Sequence, residues 1–421
     1  MIYHSISDAL TILKKALPAA SRLYVAGCSG EPIALSNHLK ENDTFAENTT
    51  FLGIWIPGVN KTDWASLHPT AKAETIFLSA DLRSSFETGD TQFLPLSYTQ
   101  SWRWLSSTPL DGGVVMVSPP DKDGNVSLGV SSDFSQAILA RNDVPVLALI
   151  NHAMPSPPNA PKYPLSRFLC AAQTDTPLIQ IAPNDLPDTF AKIGQHIASL
   201  IDDGDTLQFG LGNVQQAVLG SLKEHKNLKI HAGMISDPLL DLIDSDSLDR
   251  SKGSVTTGVA IGTDRLYQHL KTDESVCFEP VFHTHDISTL SAIPNLKAIN
   301  SAIEVDLFGQ ANAEFINGKQ VSGTGGLVDF LRGSAIAPNG QGIIALASTA
   351  KRGTLTRITP RLQPNATSIA RADMDTVVTE HGIAVLKGKS IEERAQALIA
   401  IADPAFHSEL QAAWANIRSS L

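Results

Sequence analysis

The chain has 421 residues, of which 43% are hydrophobic and 18% are charged. This composition is typical of a compact globular protein, and the length favours two or three domains over one. Its 32 basic and 43 acidic residues give a formal net charge of −11, which argues against a nucleic-acid surface or an anionic membrane surface but still allows a local phosphate pocket.

Neither cysteine chemistry nor a membrane segment is indicated. The three cysteines, Cys28, Cys170 and Cys277, lie far apart and form no C-x-x-C pair, so no disulfide framework or cysteine zinc site is predicted. The opening helical pattern is unlike a signal peptide, and no apolar run reaches the ~20 residues of a membrane span. We therefore expect a cytoplasmic protein that binds neither nucleic acid nor membrane.

Two stretches of the chain show the same order of predicted elements, namely helix, apolar strand, glycine turn and helix. The first covers residues 7–39, with Ser7 as the predicted cap of its first helix, and the second covers residues 186–222. An internal repeat of this kind predicts two related α/β halves.

Apolar strands and helices also alternate outside the repeat. Further strands are predicted at 114–118, 144–150, 342–348 and 376–380, and a late helix at 390–402. Such alternation predicts largely parallel sheets that are covered on both faces. Because a proline-rich loop at 151–164 precedes the second half, we expect two open α/β domains, residues 1–182 and 183–421.

Two glycine-rich segments are candidate ligand sites. "FGLGNVQQAV" (209–218) places a G-x-G turn between a strand and a helix, where backbone N–H groups and the helix N-terminus favour a phosphate or thioester. It lacks the third glycine of the dinucleotide fingerprint, and a tight turn without a ligand is an equally open interpretation. "VSGTGGLVDFLRG" (321–333) predicts a loop with exposed backbone donors suited to an oxyanion hole, with a flexible surface turn as the alternative.

Carboxylates and histidines form two further candidates. "INSAIEVDL" (299–307) places Asn300, Glu304 and Asp306 on one face of a predicted strand, where the carboxylates could do acid–base work, although solvated strand carboxylates are commoner. "FHTHD" (282–286) places two histidines on one face of a predicted strand. No further cluster supplies the remaining zinc ligands, so we expect no metal.

A fifth candidate is "LKIHAGMISD" (228–237), which predicts a buried strand, 228–231, that runs into His231, Ala232 and Gly233. Ligands of open α/β folds collect beyond the carboxyl ends of their strands. The chemistry at the end of this strand therefore depends on a histidine and a glycine.

Seven segments together resemble the acetyl-CoA hydrolase/transferase family, which includes 4-hydroxybutyrate and acetate CoA-transferases. They are residues 114–135, 209–218, 229–237, 299–314, 322–333, 346–360 and 371–406. The resemblance extends from about residue 7 to residue 409. It implies the class I CoA-transferase fold, with CoA bound in an active-site cleft between two α/β domains, and a homodimer or larger assembly. The implied partners are an acyl-CoA and a small carboxylic acid, without a metal.

In transferases of this family, a glutamate carboxylate attacks the acyl-CoA thioester and forms an acyl-glutamyl anhydride, which becomes a glutamyl-CoA thioester. The acceptor acid then regenerates the carboxylate and leaves as the new acyl-CoA. A carboxylate suits this role because its ordinary pKa of ~4.3 keeps it ionised at pH 7 without a separate base.

The resemblance assigns site residues position by position. The segments similar to the family's CoA-contacting turns, with Asn300 as a further predicted contact, are Gly210, Leu211, Gly212, Asn213, Val214, Gly323, Gly325 and Gly326. The family nucleophile lies in a pattern resembling "IHSEMISD", and its glutamate position falls on Gly233. Leu327 also departs from the family, which usually carries a glutamine there.

Without a glutamate at 233, three interpretations are open. A water in the vacated space could hydrolyse the thioester, activated by His231 or Glu304. A transferase could use a displaced carboxylate, for which Glu304 and Asp237 are the candidates, or a ternary mechanism. A non-catalytic acyl-CoA-binding protein could keep the fold and the pocket. We favour an acyl-CoA-processing enzyme, and the sequence leaves its acyl group and acceptor open.

Overall fold

The computed structural model describes residues 3–364 and 367–420. The chain forms two compact units, one made of Met1–Ala182 and Ser251–Thr284, the other of Pro183–Arg250 and His285–Leu421. The first break falls at the boundary expected from the sequence, whereas residues 251–284 cluster with the first unit instead of the second. Two domains divided at 182/183 remain a prediction.

The strands, in chain order, are β1 Tyr3–His4, β2 Ser21–Val25, β3 Thr49–Gly53, β4 Lys72–Thr75, β5 Thr91–Phe93, β6 Gly112–Val117, β7 Asn125–Ser127, β8 Val146–Asn151, β9 Lys162–Pro164, β10 Cys170–Thr174, β11 Thr206–Phe209, β12 Lys229–Ile235, β13 Val255–Ala260, β14 Val276–Phe278, β15 Leu296–Ser301, β16 Glu304–Asp306, β17 Ala311–Asn312, β18 Phe315–Ile316, β19 Lys319–Gln320, β20 Gln341–Ala345, β21 Thr349–Ala350, β22 Leu355–Thr356, β23 Ile358–Thr359, β24 Thr376–Thr379 and β25 Gly382–Val385.

The α-helices are α1 Ile6–Ala16, α2 Ile33–Glu41, α3 Arg83–Glu87, α4 Tyr98–Ser107, α5 Ser135–Leu139, α6 Asp188–Ala198, α7 Asn213–Ser221, α8 Pro238–Asp244, α9 Asp264–Leu270, α10 Val281–Thr284, α11 Ile287–Ser291, α12 Leu327–Ile336, α13 Ile391–Ala400 and α14 His407–Arg418. Among the described residues, no helix combines the length and the apolar character of a membrane span.

The first unit contains a parallel sheet with the strand order β1-β10-β8-β6-β2-β3-β4-β5. Neighbouring residues of its central strands pack into different hydrophobic clusters. Val114 and Leu147 belong to the cluster that includes α1 and α2, whereas Val115 and Ala148 belong to the cluster that includes α4 and α5. The sheet is therefore covered on both faces, as its continuous apolar strands predict.

Within the second unit the strands follow the order β12-β11-β15-β20-β24-β25, and every pairing given for them is parallel except β24 with β25. A small separate sheet has the order β17-β16-β23. The single strand predicted over 299–307 is wrong, because the chain leaves the large sheet after Ser301 and enters the small sheet at Glu304.

The internal repeat is confirmed in its order of elements. The first copy consists of α1, β2 and α2, and the second of α6, β11 and α7. The cap of α1 is Ser5 and not Ser7, because the Ser5 side chain accepts a hydrogen bond from the backbone N–H of Asp8. Ser7 lies one residue inside the helix.

Candidate active site

At the carboxyl edge of the second unit's sheet, two glycines and an asparagine lie side by side on adjacent strands or directly after one. Leu207 of β11 lies opposite Ile230 of β12, and Phe209 lies opposite Ile299 of β15. Continuing both registers places Gly210, Gly233 and Asn300 side by side. A Cβ added to Gly210 would lie 3.6 Å from Asn300 Oδ1, which agrees with that placement.

The first glycine turn is open to solvent. Gly210, Leu211 and Gly212 are exposed, and α7 begins directly afterwards at Asn213. Gly212 has φ +113°, which L side chains rarely adopt, so the turn requires glycine there. A Cβ at Gly212 would meet nothing within 4 Å, and Val214 is the first buried residue of the helix. The start of α7 is thus accessible to an anionic group.

The side chain of Asn300 is paired with that of Gln208. The Asn300 Nδ2 group donates to Gln208 Oε1 at 2.8 Å, and Gln208 Nε2 donates to Asn300 Oδ1 at 3.3 Å. Both amides are buried. The pair fixes β11 against β15 directly before the first glycine turn, which is a positioning contact for the backbone that follows.

The second glycine loop differs from the exposed loop that the sequence predicts. Gly323 and Gly325 are buried, and Gly326 is half-buried at the start of α12. Gly325 has φ +55°, so the loop needs a residue without a Cβ to turn there. The expectation of exposed backbone donors is wrong for Gly323 and Gly325, which are buried.

Gly233 lies inside β12 and not beyond the end of a strand at residue 231, because the extended backbone continues to Ile235. The imidazole of His285 fills the space beside it. A Cβ added to Gly233 would lie 2.7 Å from His285 Cε1 and 2.9 Å from Nε2, and a Cβ added to Gly326 would lie 2.3 Å from Cδ2 and Nε2. The imidazole of His285 therefore packs between the backbones of Gly233 and Gly326.

His285 is neutral in this position. Its side chain is 2% exposed, and its ring centroid lies 4.5 Å from that of Phe330 on α12. Burial, followed by the charge of His231, lowers the pKa of His285 to about 3, since a buried imidazole loses the hydration of its charged form. His231 itself is buried and lies two residues before Gly233, so its side chain leaves the strand on the same face.

The candidate carboxylates lie in different surroundings. Glu304 Oε1 accepts a hydrogen bond of 2.8 Å from Asn312 Nδ2 within the small sheet. Asp306 accepts from the backbone N–H groups of Phe308 and Gln310, and burial raises its pKa, so this carboxylate shapes a turn. Asp237 is buried immediately before α8. Asn300 belongs to the large sheet, and Glu304 and Asp306 belong to the small one, so the predicted shared face is wrong for Asn300.

The "FHTHD" segment is not a strand. Its first residues belong to α10, and Asp286 caps α11 by accepting a hydrogen bond from the backbone N–H of Ser288. His283 is exposed whereas His285 is buried. Within residues 3–364 and 367–420, no group of three or more His, Cys, Asp or Glu side chains could hold a metal ion.

Comparison with known proteins assigns the chain to a family. The N-terminal domain model of the acetyl-CoA hydrolase/transferase family matches residues 8–159, and its C-terminal domain model matches residues 262–414. The chain belongs to this family. It is 34% identical over 398 residues to the 4-hydroxybutyrate coenzyme A transferase of Clostridium kluyveri, covering 93% of this chain and 92% of that protein.

Two solved structures extend the likeness to the family's fold. RipA from Yersinia pestis has a TM-score of 0.90 at 27% identity, covering 99% of this chain and 97% of that chain. The 4-hydroxybutyrate CoA-transferase from Porphyromonas gingivalis has a TM-score of 0.81 at 28% identity, covering 100% and 98%. The family and the mainly parallel, CoA-transferase-like α/β fold predicted from the sequence are confirmed. Membership of the family supports an acyl-CoA-processing enzyme over a non-catalytic binding protein.

The sequence did not single out His285 as part of the site. The signal that could have found it is the coincidence of glycines at 233 and 326, in two segments that resemble the family's site. Two backbones without side chains leave a space, and a protein interior does not keep such a space empty. The identity of the filling group follows only from the fold.

Proposed function

We propose that this protein cleaves the thioester of a short acyl-CoA and uses water as its main acceptor. CoA would lie against residues 210–214 and 323–326, with Asn300 behind the first turn. Family membership supports the substrate class. The exposed turn before α7 supports the place of an anionic or thioester group.

A second feature supports ligand binding near the first turn. Gln215 is the third residue of α7, and its Oε1 accepts a hydrogen bond of 3.0 Å from Ser236 Oγ. Its Nε2 is buried, with no hydrogen-bond partner among the described residues. A buried donor without a partner costs about 1–3 kcal/mol, which a bound acceptor at this point would recover.

The observation that carries the choice of water is the missing side chain at position 233, and not an empty space for a water beside it, since the imidazole of His285 fills that space. The resemblance implies that the family's carboxylate belongs at this position, and here the residue has no side chain. The imidazole of His285 occupies the space instead. Without a carboxylate at position 233, the acyl group cannot form a covalent intermediate with this residue. Direct attack of water on the thioester is the alternative that we propose.

We assign activation of that water to His231. Its side chain leaves β12 on the same face as position 233, whereas Glu304 is hydrogen-bonded to Asn312 in the small sheet. The water would lose a proton to the imidazole while its oxygen bonds to the thioester carbon. The C–S bond then breaks, and the proton passes to the CoA sulfur, giving a carboxylic acid and CoA.

Transfer to a small carboxylic acid is the second candidate function. It is favoured by the name of the Clostridium kluyveri relative, which is a transferase. In that case Glu304 or Asp237 would act as a displaced carboxylate, or the acid would attack the thioester directly.

Thioester cleavage separates these functions. Butyryl-CoA is incubated with and without added acetate, and free CoA and newly formed acetyl-CoA are measured separately. Free CoA released at a rate independent of acetate supports hydrolysis, whereas acetyl-CoA formed from butyryl-CoA and acetate without release of free CoA supports transfer. Tight binding without turnover under both conditions would overturn the proposal in favour of a binding protein. His231→Gln should lower the hydrolysis rate at least about 100-fold, the usual contribution of a general base.

Charge reversal tests the place of CoA. Leu211→Glu adds an anion to the exposed first turn and should weaken CoA binding by about tenfold or more, because CoA carries phosphates. Val385→Glu is the matched control, since Val385 is also exposed but lies on the outermost strand, β25. Equal affinities for CoA in both variants would contradict the assigned turn. Gly326→Val is unsuitable, because its side chain would first collide with His285.

We also propose a cytoplasmic protein without a metal requirement, because of its scattered cysteines, an N-terminal pattern unlike a signal peptide and the few possible ligands near "FHTHD". A homodimer or larger assembly is proposed from the family resemblance alone. Light scattering of the purified protein tests the assembly. Full activity after exhaustive chelation tests the absence of a metal requirement, and loss of activity that zinc restores would contradict it.

A further inference from the structure

The space beside Gly233 is filled by the imidazole of His285, which other residues hold in its position. Carbon atoms in contact lie about 3.5–4.0 Å apart, whereas a Cβ at position 233 would lie 2.7 Å from His285 Cε1. The ring would have to retreat by roughly 1 Å. It meets the backbone of Gly326 on one side and the ring of Phe330 on another, so this retreat requires repacking.

The backbone of Gly233 does not itself forbid a side chain. Gly233 is absent from the residues with positive φ, and it lies within the extended strand β12. The close atoms around a Cβ at this position all belong to the His285 imidazole. A single ring therefore decides whether residue 233 can carry a functional group.

We propose that His285 sets the reaction type of this enzyme: its imidazole occupies the space from which a side chain at position 233 would reach the thioester, and so closes the covalent route. This inference rests on the proposed function, in which acyl-CoA lies against the two glycine turns. Glycine at 233, glycine at 326 and histidine at 285 form one interdependent set. Removing the imidazole reopens the space for a carboxylate at 233.

Because the His285 ring is neutral, the test measures a steric effect and not an electrostatic one. Because the pKa of His285 is lowered to about 3, its removal takes away no charge at pH 7. Any gain of function in a His285→Ala background then follows from the vacated volume and not from a changed field.

Four proteins make the test: the wild type, Gly233→Glu, His285→Ala and the double variant. Each is incubated with acetyl-CoA and examined by intact mass, before and after borohydride reduction. In the double variant, the carboxylate oxygen bonds to the acetyl carbon and CoA leaves as the thiolate. The thiolate then attacks the glutamyl carbonyl and releases acetate, leaving CoA in a thioester with residue 233.

We expect this adduct in the double variant only, together with acid-dependent CoA transfer at least about tenfold above either single variant. Gly233→Glu alone should melt at a lower temperature, and His285→Ala should restore part of that loss. Gly220→Glu is the control, because a Cβ at Gly220 meets nothing within 4 Å, and its melting shift should simply add to that of His285→Ala.

Two results would overturn the proposal. One is an adduct in Gly233→Glu alone that forms as fast as in the double variant. The other is a folded double variant that binds CoA and forms no adduct. If the wild type neither binds nor cleaves acyl-CoA, the proposed function fails instead. The melting temperatures still decide the steric claim in that case, because additive shifts of Gly233→Glu and His285→Ala would refute it.

Discussion

The side chain of Asn60 uses its whole hydrogen-bonding capacity inside the first unit. Its Oδ1 accepts from the backbone N–H groups of Cys28 at 2.9 Å and Ile56 at 2.8 Å. Its Nδ2 donates to the Cys28 carbonyl at 3.0 Å and to Glu31 Oε2 at 2.9 Å. One amide therefore holds the turn after β2 against the loop after β3. Cys28 adopts φ +50° in this turn, a strained conformation that surrounding contacts must maintain.

Asn60→Ala should destabilise the protein by about 2 kcal/mol or more. The substitution leaves two backbone N–H groups, those of Cys28 and Ile56, without these partners, whereas the Cys28 carbonyl still accepts from the backbone N–H of Glu31. Each buried group without a partner costs about 1–3 kcal/mol, and Asn60 is only 4% exposed. Asn60→Asp should be no milder, since it places a carboxylate against the Glu31 carboxylate and the Cys28 carbonyl.

Urea unfolding and amide hydrogen exchange test this prediction. The midpoint should fall, and exchange at Cys28 and Ile56 should accelerate about 100-fold, the equivalent of about 2.7 kcal/mol of local stability. Asn184→Ala is the control, because Asn184 is exposed. A loss below about 1 kcal/mol with unchanged exchange at both amides would refute the reasoning.

Three further predictions concern packing and pH. Gly326→Ala should destabilise the protein by about 1–3 kcal/mol through its collision with His285, whereas Gly220→Ala in α7 should stabilise it by about 0.5–1 kcal/mol; equal urea midpoints would contradict this. Burial raises the pKa of Asp133 from 3.8 to about 7, so the folded state keeps a proton that the unfolded chain releases. Stability should then fall by about 1.4 kcal/mol per pH unit between these values, and Asp133→Asn should remove that slope; parallel stability–pH curves would speak against it. For His285, burial and the charge of His231 lower the pKa from 6.5 to about 3. The unfolded chain therefore takes up a proton that the folded state does not, and the free energy of unfolding falls as pH drops through this range. His285→Gln should flatten that acid limb, and an unchanged limb would disprove the assignment.

Local patterns accounted for much of the fold. The order of helix, strand, glycine turn and helix in each half follows from hydrophobic periodicity and turn residues, which act over neighbouring positions. The G-x-G turn before α7 was predicted for the same reason, since the strained φ of Gly212 is a local requirement. The break after Ser301 was not predicted, because the residues on both sides have strand character and only pairing with different sheets separates them.

In the candidate site, too, the sequence predicted features with a local pattern but not those that depend on tertiary packing. The sequence pointed to Gly233, the two glycine turns and His231, since each lies in a segment with a recognisable local pattern. It placed His285 in a possible metal motif, because two histidines and an aspartate in five residues carry no information about burial. The structure also gave Glu304 and Asp306 their separate partners, which strand alternation could not supply.

The sequence by itself determined the family, the α/β class and the absence of a side chain at 233. Only the tertiary structure decided what stands in that place. Residues 233, 285 and 326 lie on a strand, a turn and a helix start that are far apart in the chain, and their contact depends on how these elements pack. Close packing leaves no space for both an imidazole and a side chain at 233. The choice between them is thus a property of the folded unit.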